Sequence, residues 1–153
     1  MTLYLWLKFI HVISSTILFG TGIGTACNMY MANRSKDIHV IATTARYVVM
    51  ADWCFTTTSG FLQPVTGFWM VYIAGYSLLA PWVLWSIVGY LIAGFCWFPV
   101  VYLQIKMRDF AVAADQNKTQ LPEKYYQYFK YWFWLGWPAF ISLIGVFYLM
   151  TNK

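Results

Sequence analysis

His11 is one of two histidines in the chain, and it stands in an apolar run, residues 3–30, with Ser14, Ser15, Thr25 and glycines at 20, 22 and 24. Imidazole can ligate a metal, carry a proton or touch a quinone headgroup. A second run, residues 47–74, carries Asp52, Thr56, Ser59, Gln63 and Thr66 at steps of 4, 3, 4 and 3. Those steps fall on one face of a helix. Polar and ionisable groups cost free energy in hydrocarbon, so each is a candidate functional group. Two readings of the stripe stand open. It can bond neighbouring helices, as Ser and Thr do in membrane bundles, or it can line a cavity or proton path running outward from Asp52.

The elements that must position these residues follow from composition. Of 153 residues, 61% are hydrophobic, 22% aromatic and 10% charged. Soluble domains run at about 45–50% apolar and about 25% charged. The charge deficit excludes a typical soluble enzyme, a disordered chain and a nucleic-acid-binding domain. Apolar runs fall at residues 3–30, 47–74, 81–105 and 129–150. Each is long enough to cross a hydrocarbon core of about 30 Å as a helix. The runs are continuous rather than alternating, so helices and not strands are expected. The fold class is therefore all-α, a single four-helix transmembrane bundle. The first run has no A-x-A site after it and reads as an uncleaved helix.

The loops set direction. Residues 31–46 hold Arg34, Lys36 and Arg46 against Asp37; residues 75–80 hold no charge; residues 106–127 hold Lys106, Arg108, Lys118 and Lys124 against Asp109, Asp115 and Glu123. Loops rich in Lys and Arg stay cytoplasmic. The first and third share a side, so both termini are expected on the outer, periplasmic face of an inner (plasma) membrane. The stretch 123–131 is expected at the headgroup layer, and Pro138 is expected to kink the last helix.

By depth, His11, Gln63 or Thr66, Ser86 and Ser142 share one outer-leaflet layer. A metal-ligating histidine usually donates its other N–H to an acceptor, a role open to Gln63, Thr66 or a serine. The glycines thin the first helix for a neighbour or a flat cofactor. Near the inner end Asp52 is expected to pair with Arg46, Lys106 or Arg108, since an unpaired buried carboxylate is costly. Cys27, Cys54 and Cys96 form no C-x-x-C and read as small hydrophobes. Met29, Met31 and Met50 read first as packing, with a soft-metal site as the alternative.

Trp6-Leu7-Lys8-Phe9-Ile10-His11 resembles the W-L-K-x-x-H start of HemJ-type protoporphyrinogen oxidases. Met107-Arg108-Asp109-Phe110-Ala111 is similar to their third-helix exit, Trp137-Pro138-Ala139 to their Val-Pro-Ala, and Gly67 to a second-helix glycine. A closer likeness rests on the run from Leu103 to Asp109, on Ala51-Asp52-Trp53 and on Gln63-Pro64-x-x-Gly67. These pieces resemble an uncharacterised family of predicted integral membrane proteins, distantly similar to HemJ-type and CopD-like proteins. The resemblance implies haem b with His11 as axial ligand, and electron transfer toward quinone or the respiratory chain. It departs where Leu84 replaces the functional third-helix lysine, where a later third-helix histidine is missing, and where a first-helix Pro-Arg is replaced near residues 26–28.

Three functions are therefore expected in competition. The first is a b-type haem protein acting with quinone, with His11 as iron ligand and Gln63 or Thr66 setting its tautomer. In it, Arg46, Lys106 and Arg108 are the bases able to hold propionates. The second is a non-catalytic accessory subunit or assembly factor. The third is a small proton or metal transporter using the Asp52–Thr66 face. Lipid surrounds the chain in all three, and a homo-oligomer is compatible with each.

Overall fold

The computed structural model describes residues 2–152. It is all-helical: α1 (Leu3–Ser35), α2 (Ile38–Ala51), a π-helical stretch (Asp52–Thr57), α3 (Thr58–Ala74), α4 (Pro81–Asn117) and α5 (Glu123–Thr151). The backbone stays right-handed helical from α2 through the π stretch into α3, so these three form one rod. Four rods result. α1 packs along α2 and α3, α2 packs on α4, and α4 pairs along its length with α5.

Three helices, α1, α4 and α5, are long and apolar enough to cross a membrane. The fourth rod is divided by the π stretch, and its α3 portion has 17 residues.

The sequence-based boundaries need one large correction. Most of the expected first and third loops is helix. Only Lys36 and Asp37 separate α1 from α2, and only residues 118–122 separate α4 from α5. The stretch 123–131, expected at the headgroup layer, is the start of α5. α5 runs unbroken through Pro138. The turns are chemically specified. Lys36 adopts φ 58°, and Asp37 then caps α2 by accepting from the His39 and Val40 amides at 2.9 and 3.2 Å. An N-cap carboxylate satisfies amides the helix cannot. Gly75, at φ 70°, closes α3 with a Tyr76 N–H bond back to Val71. Pro81 opens α4 where its missing N–H costs nothing.

Two interiors follow. At the end carrying these two short turns, the basic end, all four rods bury an apolar core. It includes Met29 from α1, Ile41, Ala45 and Val48 from α2, Met107 and Ala111 from α4, and Tyr125 from α5. Tyr125 is fully buried and donates to Asn33 Oδ1 at 2.9 Å. The apolar positions 41, 42, 45, 48 and 49 form one helical face. The reason for the correction lies here: a segment outside hydrocarbon can be half polar and still be a packed helix. His39 on α2 meets Asp115 on α4 at 3.0 Å across this end.

At the end carrying both termini, the buried residues are largely polar: Ser14, Ser59, Gln63, Thr66 and Ser86. Large side chains point outward; Phe61 is 70% and Tyr72 84% exposed. Lipid gives no hydrophobic drive for helix association, so close packing and hydrogen bonds must hold this half together. Gly89 supplies one close approach. A Cβ there would stand 2.8 Å from Val146 on α5. Phe19 on α1 stacks on Phe140 and meets Phe147 edge-on, both from α5.

Pro64 lies inside α3 and has no N–H for the carbonyl four residues earlier, that of Gly60. The Tyr90 hydroxyl on α4 donates to that carbonyl. A proline defect on one helix is thus repaired by a side chain from another. Tyr90→Phe should lower stability in micelles by about 1–3 kcal/mol, the cost of a buried unsatisfied group. In a Pro64→Ala background, where residue 64 regains its N–H, the same change should cost much less. Denaturant unfolding of the four proteins measures both steps.

Candidate functional site at His11

The site joins α1 and α3 near the termini end. His11 Nδ1 lies 2.7 Å from Thr66 Oγ1. Thr66 has one hydroxyl proton, and its oxygen lies 2.7 Å from the Leu62 carbonyl, which can only accept. Committed there, Thr66 receives rather than gives at His11. Nδ1 therefore carries an imidazole proton. Metal-ligating histidines are commonly held this way by a second group.

Gln63 lies one turn earlier on α3. Its Nε2 donates to the His11 carbonyl at 2.8 Å and to Ser14 Oγ at 2.5 Å. Ser14 also donates to the His11 carbonyl at 3.1 Å. The backbone of His11 is thereby pinned as well as its ring. Gly67 completes the fit, because a Cβ at that position would stand 3.3 Å from His11 Cε1 and 3.9 Å from Nδ1. Any side chain at 67 crowds the imidazole edge.

The structure thus brings together three residues singled out from sequence, His11, Gln63 and Thr66, and selects Ser14 over Ser15 as their companion. It does not bring Ser86 and Ser142 into the cluster. Each bonds back to its own helix, to the Trp82 and Ala139 carbonyls. The glycines of α1 have no close neighbour. Among the described residues, no atom lies within 4 Å of a Cβ built at Gly20, Gly22 or Gly24.

Asp52, Thr56 and Ser59 are all buried. The expected pairing of Asp52 with a base is corrected. Its carboxylate accepts from Thr56 Oγ1 at 3.0 Å, and among the described residues it has no ion pair. Arg108 is bound to Asp109 at 2.8 Å, Lys106 lies over the Tyr102 ring, and Arg46 is exposed. Thr56 and Thr57 of the π stretch both turn back onto Asp52, onto its carboxylate and its carbonyl, and the Gln104 side chain of α4 adds a further bond to the carboxylate. Among the described residues no three of His, Cys, Asp and Glu gather for a metal.

Sequence reasoning missed Gln104 and Tyr90. Gln104 is 5% exposed, lines the same gap as Asp52, and its Oε1 has no hydrogen-bond partner. An amide in an apolar run is as costly as the residues of the second-helix stripe and was findable by the same rule. Tyr90 was findable from Pro64, whose missing N–H calls for a donor.

Nitrogen NMR of the histidine rings tests the site. The wild-type His11 signal should show a protonated Nδ1. Thr66→Val removes the acceptor and should release the ring to a mixture of tautomers. Gly67→Val should displace the ring while leaving the His39 signal unchanged.

No curated protein and no solved structure matches this chain. One family model does, over residues 5–153, and its description is a predicted integral membrane protein. The long apolar helices agree with that description. With nearly its whole length matched, the chain belongs to the DUF2269 family of predicted integral membrane proteins.

Proposed function

We propose that the protein is a b-type haem electron-transfer protein of the plasma membrane, exchanging electrons with quinone, with His11 as an axial ligand of the iron. In this reading the chain crosses four times with both termini outside, which the Lys and Arg residues near the opposite end support. The observation that carries the reading is the 2.7 Å contact of His11 Nδ1 with Thr66, whose own proton is committed to Leu62. It assigns a proton to Nδ1, so Nε2 is the nitrogen that a haem iron would take from this histidine. Gln63 and Ser14 hold the α1 backbone beneath the ring, and Gly67 gives it clearance. Haem supplies one-electron redox chemistry when bound; the chain's task is to hold and orient the imidazole.

The donor set fits this ligand role in one respect and departs in another. Asp52 lies roughly 20 Å along the rod from Thr66, at 1.5 Å per residue. Arg46, Lys106 and Arg108 belong to that far end and do not reach propionates of a haem held at His11. Lys8, one turn before His11 and exposed, is the base at the right level. Leu84, where HemJ-type proteins carry lysine, keeps protoporphyrinogen oxidation out of the proposal.

A second reading, a non-catalytic accessory subunit or assembly factor, draws on the open face at Gly20 and Gly24, one turn apart on α1. Small residues with nothing against them suit a helix from a partner or a second copy.

Absorption spectra of the purified protein, as isolated and after dithionite, decide between them. A Soret band with sharpened α and β bands on reduction is expected, lost in His11→Ala and shifted in Thr66→Val. A flat spectrum after expression with added haem overturns the haem reading. A mild-detergent pull-down would then test the accessory role.

A further inference from the structure

We propose that Asp52, Thr57 and Gln104 hold one dehydrated alkali cation, sodium, at the π stretch. The site is independent of His11 and of haem. Asp52 and Gln104 are each 5% exposed, and with Thr57 they line a single gap between the rod and α4 whose other walls are apolar.

Each of the three groups presents an acceptor oxygen. Among the described residues the Asp52 carboxylate has no base beside it; it accepts from the Thr56 hydroxyl at 3.0 Å and from the Gln104 side chain. Thr57 gives its proton to the Asp52 carbonyl at 2.9 Å, which leaves its oxygen lone pairs. Gln104 gives its amide N–H to Asp52, and among the described residues its Oε1 has no donor. Buried acceptors without a partner demand an explanation, most often a water or an ion. The gap is too narrow to admit a water molecule, so water does not bridge these oxygens. A bare cation is smaller and satisfies several acceptors at once.

Charge selects the class. One carboxylate balances one positive charge. A divalent ion would leave net charge in a medium of low dielectric, where it is costly. A carboxylate, an amide carbonyl and a hydroxyl form an all-oxygen set, the choice of hard cations. The π winding creates the set, because it turns Thr57 back toward Asp52 within one turn. π segments in α-helices often occur at functional sites.

The test uses the full-length protein in detergent. Thermal unfolding is followed in sodium chloride and in choline chloride at equal ionic strength and fixed pH. Binding to the folded state alone raises the midpoint. The wild-type midpoint should rise by several degrees in sodium and saturate, Asp52→Asn should abolish the rise, and Gln104→Leu should weaken it. Equilibrium dialysis of wild type with radiosodium, which needs no variant, should give one site per chain. Identical midpoints in the two salts with no bound radiosodium would overturn the proposal. So would an equal response in Asp52→Asn, or a midpoint that follows pH and ignores sodium, which would put a proton in the site instead.

Discussion

Hydrocarbon offers no hydrogen-bond partner, and that constraint organises the termini half of this protein. Every polar atom taken into it has to find its partner within the bundle. His11, Ser14, Gln63 and Thr66 solve the problem jointly, two on α1 and two on α3, with Gln63 spanning both the His11 carbonyl and Ser14. The Gly60 carbonyl, stranded by Pro64, finds Tyr90. These bonds join the helices because lipid will not drive them together. The basic end obeys the opposite rule: its core of Met29, Ile41, Met107 and Tyr125 is apolar and close-packed, as in a soluble bundle.

The difference between the two ends explains which parts of the fold were legible in the sequence. Long apolar runs announced α1, α4 and α5, and the 4, 3, 4, 3 spacing from Asp52 to Thr66 announced a buried face. All five of those residues are buried. The helical extensions were harder. Residues 38–46 and 106–117 mix polar and charged residues with apolar positions, and a hydropathy reading takes such a mixture for loop. The pattern at 41, 45 and 48 was present but weak beside the charges around it.

The site was legible in kind and not in detail. His11 with Gln63 and Thr66 followed from helix depth alone, since antiparallel rods bring residues of equal depth together. Which hydroxyl approached Nδ1 depended on rotation about each helix axis, and sequence spacing does not fix the rotation of one helix against another. The pairing of Asp52 was misread for a related reason. Nearness in sequence to Arg46 and in depth to Lys106 and Arg108 suggested a salt bridge. The π stretch turns Thr56 and Thr57 onto Asp52 instead, and no propensity rule anticipates a π turn.

That π turn also bears on how the rod's length is constrained. A π turn holds one more residue than the α turn it replaces. Loss of a single residue between 52 and 57 would restore plain α-helix, with α2 still facing α4 and α3 still facing α1. Elsewhere in the rod the same deletion would rotate everything beyond it by about 100°, carrying Gln63 and Thr66 away from His11. The middle of the rod is thus a splice point where the chain can change length without losing register. The same change would take away the winding that turns Thr57 onto Asp52.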